Sequence, residues 1–218
     1  MGDAGGVGED SGGPEVKVVV TGSSSGIGKT IAEHLRACGH EVFGISRSEG
    51  FDVTNLPQMR ALALVTVWNR PDVLICCAGI INGVFWEVLR TNLGGTENCL
   101  TAFKPKRAIC MAGGGAPKPL KGHLGYSVSK SAVIALVEAY ALENPDVTIN
   151  SLAPGFFKTP LTAHLPDQEE TDPALLLRWV DWLLTQTQYS GRLFSVRRDN
   201  IDALLTGPDS YKVRRNEA

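Results

Sequence analysis

The sequence predicts an α/β fold in which helices cover both faces of one parallel sheet. Six short runs of branched apolar residues alternate with longer segments of helical periodicity, and a glycine-rich turn follows the first run. This alternation is typical of parallel strands, because each pair needs a crossover connection that a helix supplies. Right-handed crossovers then give a doubly wound, three-layer α/β/α domain with its ligand at the carboxyl ends of the strands.

The elements follow one another without a repeat or an internal linker. We predict one domain over 15–210, a flexible acidic and glycine-rich tail over 1–14, and a loose polar tail over 211–218. The strands are predicted near Val16, Glu41, Val73, Arg107, Val147 and Arg192, and the helices near Ile27, Leu56, Trp86, Tyr126 and Pro173.

Composition narrows the classes of function. The 218 residues can bury a sizeable core, and 21 basic against 23 acidic side chains give no reason to expect nucleic acid as a partner. No apolar run approaches the ~20 residues of a membrane span, and 1–13 lacks the features of a signal peptide, so we expect a cytoplasmic protein with no membrane partner. Five cysteines without Cys-x-x-Cys spacing indicate core thiols in a reducing compartment and no metal site.

The turn after the first strand has the pattern of a phosphate-binding loop. Val16 to Val20 reads as a buried strand, and the helix after the turn continues through Ile31 and Leu35. Glycines let the backbone approach a pyrophosphate closely, while the helix N-terminus holds its charge. The residues predicted to contact a dinucleotide here are Gly22, Ser24, Ser25, Gly26, Ile27 and Gly28.

Tyr126 and Lys130 supply a candidate for proton chemistry. On a helix, residues four apart lie on one face, one turn from each other. A free tyrosine titrates near ~10, and a neighbouring positive charge favours the phenolate. We therefore expect Lys130 to lower the pKa of Tyr126 and make it an acid or base near neutrality; the alternative is an exposed helix face.

The glycine-rich turn followed along the chain by the Tyr126–Lys130 pair resembles the short-chain dehydrogenase/reductase family. The resemblance extends from Lys17 to about Asp199. The resemblance implies a Rossmann-type dinucleotide-binding fold and an oxidoreductase that exchanges a hydride between NADP(H) and a carbonyl or secondary alcohol. Further landmarks of the family recur as Asp52-Val53, Cys77-Ala78-Gly79, Asn92, and Pro154-Gly155 with Thr159.

The resemblance also implies roles for these residues. Tyr126 would exchange the proton with the substrate oxygen, and Lys130 would hold the nicotinamide ribose and lower the phenol pKa. Asn92 would interrupt a helix and hold a water that joins the lysine to solvent, or else be a polar helix residue. The cofactor contacts implied elsewhere are Ala78, Gly79, Pro154, Gly155 and Thr159, the last three on the loop that orients the carboxamide and the phosphates.

The end of the second strand predicts NADP over NAD. An acidic side chain there would accept hydrogen bonds from the adenosine ribose, but this chain has Arg47 between Ser46 and Ser48. A guanidinium with flanking hydroxyls suits a 2′-phosphate, and no carboxylate is expected to repel it; alternatively Arg47 is an ordinary loop charge. Asp52 would contact the adenine, or else cap the following helix.

The chain departs from the family at the residue that should stabilise the substrate oxygen. Ala112 and Gly113 stand where the family has a serine, and losing such a donor can cost roughly 3 to 4 kcal/mol, so turnover is expected to be slow. Backbone N–H groups of 113–115, a water or Ser127 are possible substitutes. His123 is either a substrate contact or a solvent-facing loop residue.

A second departure is the length of the pocket rim. The segments Ile80 to Arg90 and after Thr159 are short, which predicts an open site for a bulky or carrier-linked substrate. Cys77 replaces an asparagine of the family, which puts one contact near the adenosine in doubt.

Two functions follow from these observations. The first is an NADP(H)-dependent dehydrogenase/reductase acting on a small-molecule carbonyl or alcohol. The second, suggested by the missing serine, is a catalytically weakened NADP(H)-binding sensor or scaffold. The resemblance implies a homodimer or homotetramer through the helices around Asn92 and Tyr126, although their apolar residues are alternatively simply core.

Overall fold

The computed structural model describes residues 15–65, 69–113 and 119–206. Its single six-stranded sheet is parallel throughout, with the order β2-β1-β3-β4-β5-β6, and confirms the predicted fold class. The strands are β1 Lys17–Thr21, β2 Glu41–Ile45, β3 Val73–Cys76, β4 Arg107–Met111, β5 Thr148–Ala153 and β6 Arg192–Ser195. The predicted tails at 1–14 and 211–218 lie outside the described residues.

The helices flank this sheet on both faces. They are α1 Gly26–Ala37, α2 Leu56–Val65, α3 Phe85–Leu89, α4 Gly95–Phe103, α5 Leu124–Glu143, α6 Pro173–Thr185 and α7 Ile201–Thr206. The helix predicted near Trp86 is divided, because a π-helical turn over Arg90–Gly94 separates α3 from α4. The short helix α7 was not predicted.

Two apolar clusters form the core, one on each face of the sheet. Val18 and Val20 pack with α1 and α6, whereas Val19 between them packs with the opposite cluster on α4 and α5. Since successive strand side chains point to opposite faces, a strand buried on both sides appears in the sequence as a continuous apolar run. Cys76 and Cys77 likewise pack against opposite clusters.

The cysteines do not all lie in the core. Cys76, Cys99 and Cys110 are buried, but Cys38 is exposed, so the prediction of a core thiol is wrong there. Cys38 follows the last residue of α1, where the helix ends at the surface. Among the helices that the structure describes, none has the combined length and apolar character to cross a bilayer.

The strand order places a crevice at the carboxyl edge of the sheet. From β1 the chain continues to β2 on one side, and β3 pairs with β1 on the other side. Connections that leave in opposite directions from neighbouring strands open a crevice between them, which is where such sheets bind ligands. The loops after β1 and β3 therefore border the candidate site.

Candidate functional site

The glycine turn between β1 and α1 is packed so closely that side chains are excluded. Gly22 has φ +69°, and a Cβ there would lie 2.8 Å from the backbone nitrogen of Ala78. A Cβ on Gly28 would lie 2.3 Å from the Gly22 carbonyl oxygen. Glycine is required at both positions, because any side chain would displace backbone.

Thr21 joins the two strands that border the crevice. Its Oγ1 accepts hydrogen bonds from the backbone N–H groups of Cys77 and Ala78, both at 3.1 Å. The hydroxyl is buried and fixes the loop after β3 against the end of β1. Sequence reasoning missed this role, although Thr21 is the last residue of the strand before the turn.

Two adjoining clefts run along this edge of the sheet. One, with about 690 Å³ of empty space, extends from the glycine turn to Tyr126 and Lys130. The other, with about 580 Å³, extends from the same turn to the end of β2. Their walls bring together most of the predicted site residues: Gly22, Ser24, Ser25, Gly26, Ile27, Gly28, Arg47, Asp52, Ala78, Gly79, Tyr126, Lys130, Pro154 and Thr159. We refer to the cleft at β2 as the cofactor end and to the region around Tyr126 as the substrate end.

Tyr126 and Lys130 lie one turn apart on α5, as predicted, but are not in direct polar contact. The Lys130 ammonium is 6.0 Å from the centroid of the Tyr126 ring, and its Nζ donates to the Met111 carbonyl oxygen at 2.8 Å. Both side chains are buried. The carbonyl at the end of β4 therefore holds the ammonium in place.

The expected lowering of the tyrosine pKa is not found in the chain by itself. Burial raises the pKa of Tyr126 to about 12 and lowers the pKa of Lys130 to about 8. In both cases loss of solvation disfavours the charged form. The sequence argument considered the charge of the lysine and left out the burial of the phenol.

Asn92 lies behind the cleft wall, fully buried in the π-helical turn. Its Oδ1 accepts from the Ile80 N–H at 2.8 Å, and its Nδ2 donates to the Ile80 carbonyl at 2.8 Å and to Ser129 Oγ at 2.9 Å. Ser129 Oγ donates in turn to the Tyr126 carbonyl oxygen at 2.8 Å. The predicted helix interruption is present, and Ser129, which sequence reasoning missed, links it to α5.

Gly113 is in direct contact with the tyrosine hydroxyl. It has φ +76°, and a Cβ there would lie 2.5 Å from Tyr126 Oη. The hydroxyl thus fills the space that a side chain at 113 would need. Of the proposed substitutes for the missing serine, Ser127 is buried and accepts a hydrogen bond from the Leu120 N–H at 2.9 Å; residues 114 and 115 lie outside the described ranges.

Only some of the predicted site residues in the loop after β5 line the cleft. Pro154 and Thr159 line its wall, and Thr159 approaches the start of α1, where a Cβ on Gly26 would lie 3.3 Å from it. Gly155 packs instead against Thr171, whose buried Oγ1 would lie 2.1 Å from a Cβ at 155. Gly155 therefore shapes the loop from behind.

A carboxylate that the sequence analysis did not expect lies beside the cofactor end. Arg47 lines the cleft with Ser46 and Ser48, but Ser46 Oγ donates to Glu49 Oε2 at 2.6 Å. The hydroxyls of Ser46 and Ser48 are 3.0 Å apart. A short 3₁₀ turn over Arg47–Glu49 brings this acidic side chain back to Ser46. Of the hydroxyls expected to serve a 2′-phosphate, that of Ser46 is thus engaged by a carboxylate.

Asp52 lines the same cleft and organises the segment before α2. Its Oδ1 accepts from the Thr54 N–H at 2.8 Å, while Asn55 Oδ1 accepts from the Gln58 N–H at 3.0 Å at the start of the helix. Although burial opposes it, the Thr54 bond and the charges of Arg47 and Arg90 hold the pKa of Asp52 below its usual range.

Comparison with known proteins agrees with this geometry. The model of the family described as short chain dehydrogenase matches residues 50–170. The chain belongs to the short-chain dehydrogenase family. Members of this family are oxidoreductases that bind NAD or NADP, in line with the cleft described above.

Individual members of the short-chain dehydrogenase family show how much of the chain is shared. The chain is 30% identical to the short-chain reductase protein NovJ of Streptomyces niveus, over 71% of this chain and 74% of that protein. It is 29% identical to a 3-oxoacyl-(acyl-carrier-protein) reductase of Vibrio cholerae, over 70% and 78%. It shares the fold, at 24% identity and a TM-score of 0.73, with a Beutenbergia cavernae protein assigned as an NAD(P)-dependent gluconate 5-dehydrogenase and solved with NADP, over 83% and 94%.

Proposed function

We propose that this chain is an NADP(H)-dependent oxidoreductase that interconverts a carbonyl and a secondary alcohol. The observation that carries the proposal is the shared cleft: the glycine turn and the buried Tyr126–Lys130 pair line one continuous space. A dinucleotide bound at the turn would extend toward the tyrosine. The glycine turn fits this cofactor, because Gly22 provides the tight turn and Gly28 the close packing of backbone that a dinucleotide-binding turn requires.

Within this proposal, each residue of the substrate end has one task. The nicotinamide, when bound, supplies or accepts the hydride. Tyr126 Oη donates the proton to the carbonyl oxygen in reduction, and its raised pKa keeps it protonated at neutral pH. The Lys130 ammonium stabilises the negative charge that then develops on the phenol oxygen. Asn92, through Ile80 and Ser129, holds the start of α5 in place.

We propose NADP(H) over NAD(H) on the basis of Arg47. Its guanidinium lines the cofactor end, beside the adenosine side of the proposed cofactor. Ser46 offers less than the sequence suggested, because its single hydroxyl proton is donated to Glu49. The preference therefore depends on whether the attraction of Arg47 for the 2′-phosphate exceeds the repulsion by Glu49. We propose separately that Asp52 contacts the adenine.

The substrate and assembly proposals depend on the surface around Tyr126. The short rim supports a bulky or carrier-linked carbonyl compound, and two relatives named as reductases, one of an acyl-carrier-protein substrate, favour the reductive direction. Val84 and Trp86 of the α3 region and Leu124 of α5 are at least 70% exposed, which supports a homodimer or homotetramer through these helices. A cytoplasmic location remains a prediction from the sequence.

Replacing Tyr126 by phenylalanine tests the catalytic proposal. We expect Tyr126→Phe to lower the rate of NADPH-dependent carbonyl reduction by about 10² to 10⁴, with NADPH affinity within about twofold of the unmodified chain. A panel of carbonyl substrates, followed by NADPH absorbance, supplies the rate, and calorimetry supplies the affinity. A full rate in the phenylalanine variant would refute the role of Tyr126.

A second function, a cofactor-binding sensor, is favoured by one observation. Neither Ala112 nor Gly113 offers a side-chain donor, and the space at 113 is filled by Tyr126 Oη. If NADPH binds tightly, no carbonyl compound is reduced, and NADPH changes the oligomeric state in sedimentation, the sensor replaces the enzyme as the better account.

A further inference from the structure

Three connections of the chain meet near Tyr126. Asn82 comes from the loop between β3 and α3, His123 directly precedes α5, and His164 comes from the loop between β5 and α6. The Asn82 side-chain amide lies 3.2 Å from His164 Nε2. The rings of His123 and His164 have centroids 5.5 Å apart with planes at 55°. His164 thus contacts both of the other connections.

The same connections surround Tyr126 below this polar layer. Tyr126 forms a small buried cluster with Ile81 of the first connection and Val88 of α3. Leu120 and, from the third connection, Leu161 and Leu165 pack against that cluster. His164 therefore lies in the turn that also covers the catalytic tyrosine.

The turn over 159–165 is held together mainly by its own hydrogen bonds. The Thr159 N–H donates to Thr162 Oγ1 at 3.0 Å, the Thr162 N–H to the Thr159 carbonyl at 3.0 Å, and the Leu165 N–H to the Thr162 carbonyl at 2.9 Å. These bonds give the turn a shape but do not fix it to the rest of the domain. Side chains must do so: Leu161 and Leu165 pack on the cluster around Tyr126, and His164 contacts Asn82 and His123.

We propose that His164 is a positioning residue that clasps the 159–165 turn to Asn82 and His123, and so determines how closely the turn covers the substrate end of the cleft. Its role in turnover rests on the proposed oxidoreductase function. The clasp itself is a property of the chain without ligand, because all three side chains already meet there.

The chemistry of the clasp makes it sensitive to pH. Neutral His164 accepts from the Asn82 amide through Nε2, and protonation removes that lone pair. Two imidazolium rings 5.5 Å apart would also repel each other. Protonation of His164 therefore opens the clasp, so the clasp weakens as the pH falls.

Charged residues lie near the clasp along the chain. On the α3 side, the Glu87 carboxylate borders Gly83, next to Asn82. Lys121 lies two residues before His123, and the Lys158–Asp167 ion pair, at 3.4 Å, flanks the 159–165 turn in sequence. Positively and negatively charged side chains thus both occur near the clasp.

Hydrogen–deuterium exchange of the full chain without ligand tests the clasp directly. At pH 7.5 we expect His164→Ala to lower the protection factors of the Thr159, Thr162 and Leu165 amides about threefold to tenfold. Asn82→Ala should have a similar effect, and the double variant should add less than the sum of the two. His34→Ala is the matched control, since His34 pairs with Asp181 between α1 and α6, and it should leave the turn unchanged. Unchanged protection in His164→Ala would overturn the proposal.

A conservative variant separates the clasp from a purely structural contact. His164→Gln keeps an acceptor for Asn82 but does not titrate, so it should keep the protection at pH 7.5 and abolish the loss seen in the unmodified chain at pH 5.5. In turnover, His164→Ala should raise KM for the carbonyl substrate about threefold to tenfold with kcat within twofold. An equal loss of protection at pH 5.5 in both chains would contradict the clasp. Failure of the chain to bind NADPH would refute the proposed function alone, because the exchange experiment needs no ligand.

Discussion

The cofactor end and the substrate end of the cleft are built in different ways. The glycine turn that both ends share is backbone packed on backbone, with Gly28 against the Gly22 carbonyl and Gly22 against Ala78. The substrate end consists of side chains, Tyr126 and Lys130, with a neighbouring turn held by side-chain contacts that include the packing of Leu161 and the hydrogen bond of His164. Close backbone approach permits few residue types and leaves a clear sequence signature. Contacts made by loops and side chains permit many residue types, so they leave little signature in the sequence.

The largest effect should come from disturbing the backbone packing. A Cβ in Gly28→Ala would lie 2.3 Å from the Gly22 carbonyl oxygen, so the turn must move away from its phosphate-binding shape. We expect NADPH affinity to fall by about 100-fold or more, roughly 2.7 kcal/mol or above.

Gly94→Ala is the control for that variant, because a Cβ at 94 would meet nothing within 4 Å and its φ is not positive. It should bind NADPH as the unmodified chain does in calorimetry. Retention of full affinity in Gly28→Ala would show that the close packing of the turn is not what binds the cofactor.

Restoring the serine of the family should harm this protein. A Cβ in Gly113→Ser would lie 2.5 Å from Tyr126 Oη, and the residue would have φ +76°. The clash must displace the Tyr126 hydroxyl from its present position, so we expect carbonyl reduction to fall roughly tenfold to 100-fold. Steady-state kinetics on the same substrate panel measures it. A faster variant would mean that the oxyanion donor is simply missing and that the contact with Gly113 is dispensable.

The pH dependence of reduction should reflect Lys130. Its pKa of about 8 means that the ammonium is charged at neutral pH and loses its proton as the pH rises through that value. The charge that stabilises the developing phenolate is then lost, so the rate should fall up to tenfold between pH 7 and pH 9. Lys130→Arg should move the falling limb upward, since arginine stays protonated. An unchanged limb in the arginine variant would assign it to another group.

The smallest effect concerns cofactor choice at Glu49. Removing this carboxylate in Glu49→Ala frees the Ser46 hydroxyl proton and removes a negative charge near Arg47. Exposed charge pairs contribute about 0.2 to 1 kcal/mol, so NADPH affinity should rise about twofold to fivefold, with NADH affinity unchanged. Calorimetry measures the affinities for both cofactors. An equal change in the affinities for NADPH and NADH would show that Glu49 does not face the 2′-phosphate.

The sequence predicted the regular parts of the fold because their packing leaves a local pattern. Val18, Val19 and Val20 are buried on both faces of the sheet, so the strand is a continuous apolar run. The glycines of the turn were recognised because no other residue fits between backbones. The π-helical turn around Asn92 was anticipated only from the family resemblance, and α7, six residues long, had no periodicity to reveal it.

The parts that were missed or wrong depend on contacts between distant segments. Asn82 and His164 are 82 positions apart, and nothing in either segment indicates the other. The pKa of Tyr126 was mistaken because side chains from distant segments, such as Ile81 and Leu161, bury the phenol, and burial raises its pKa. Glu49 was overlooked because a 3₁₀ turn, which has little sequence signature, brings it to Ser46.

The central claim is that the cleft holds NADP(H) with its 2′-phosphate at Arg47 and its nicotinamide toward Tyr126. Calorimetric titration of the purified chain with NADPH and NADH tests it most directly, with Arg47→Ala titrated beside it. We predict NADPH binding at least tenfold tighter than NADH, and loss of that difference in Arg47→Ala. Binding of neither cofactor by the unmodified chain would contradict the claim, and equal affinities would contradict the assignment of Arg47.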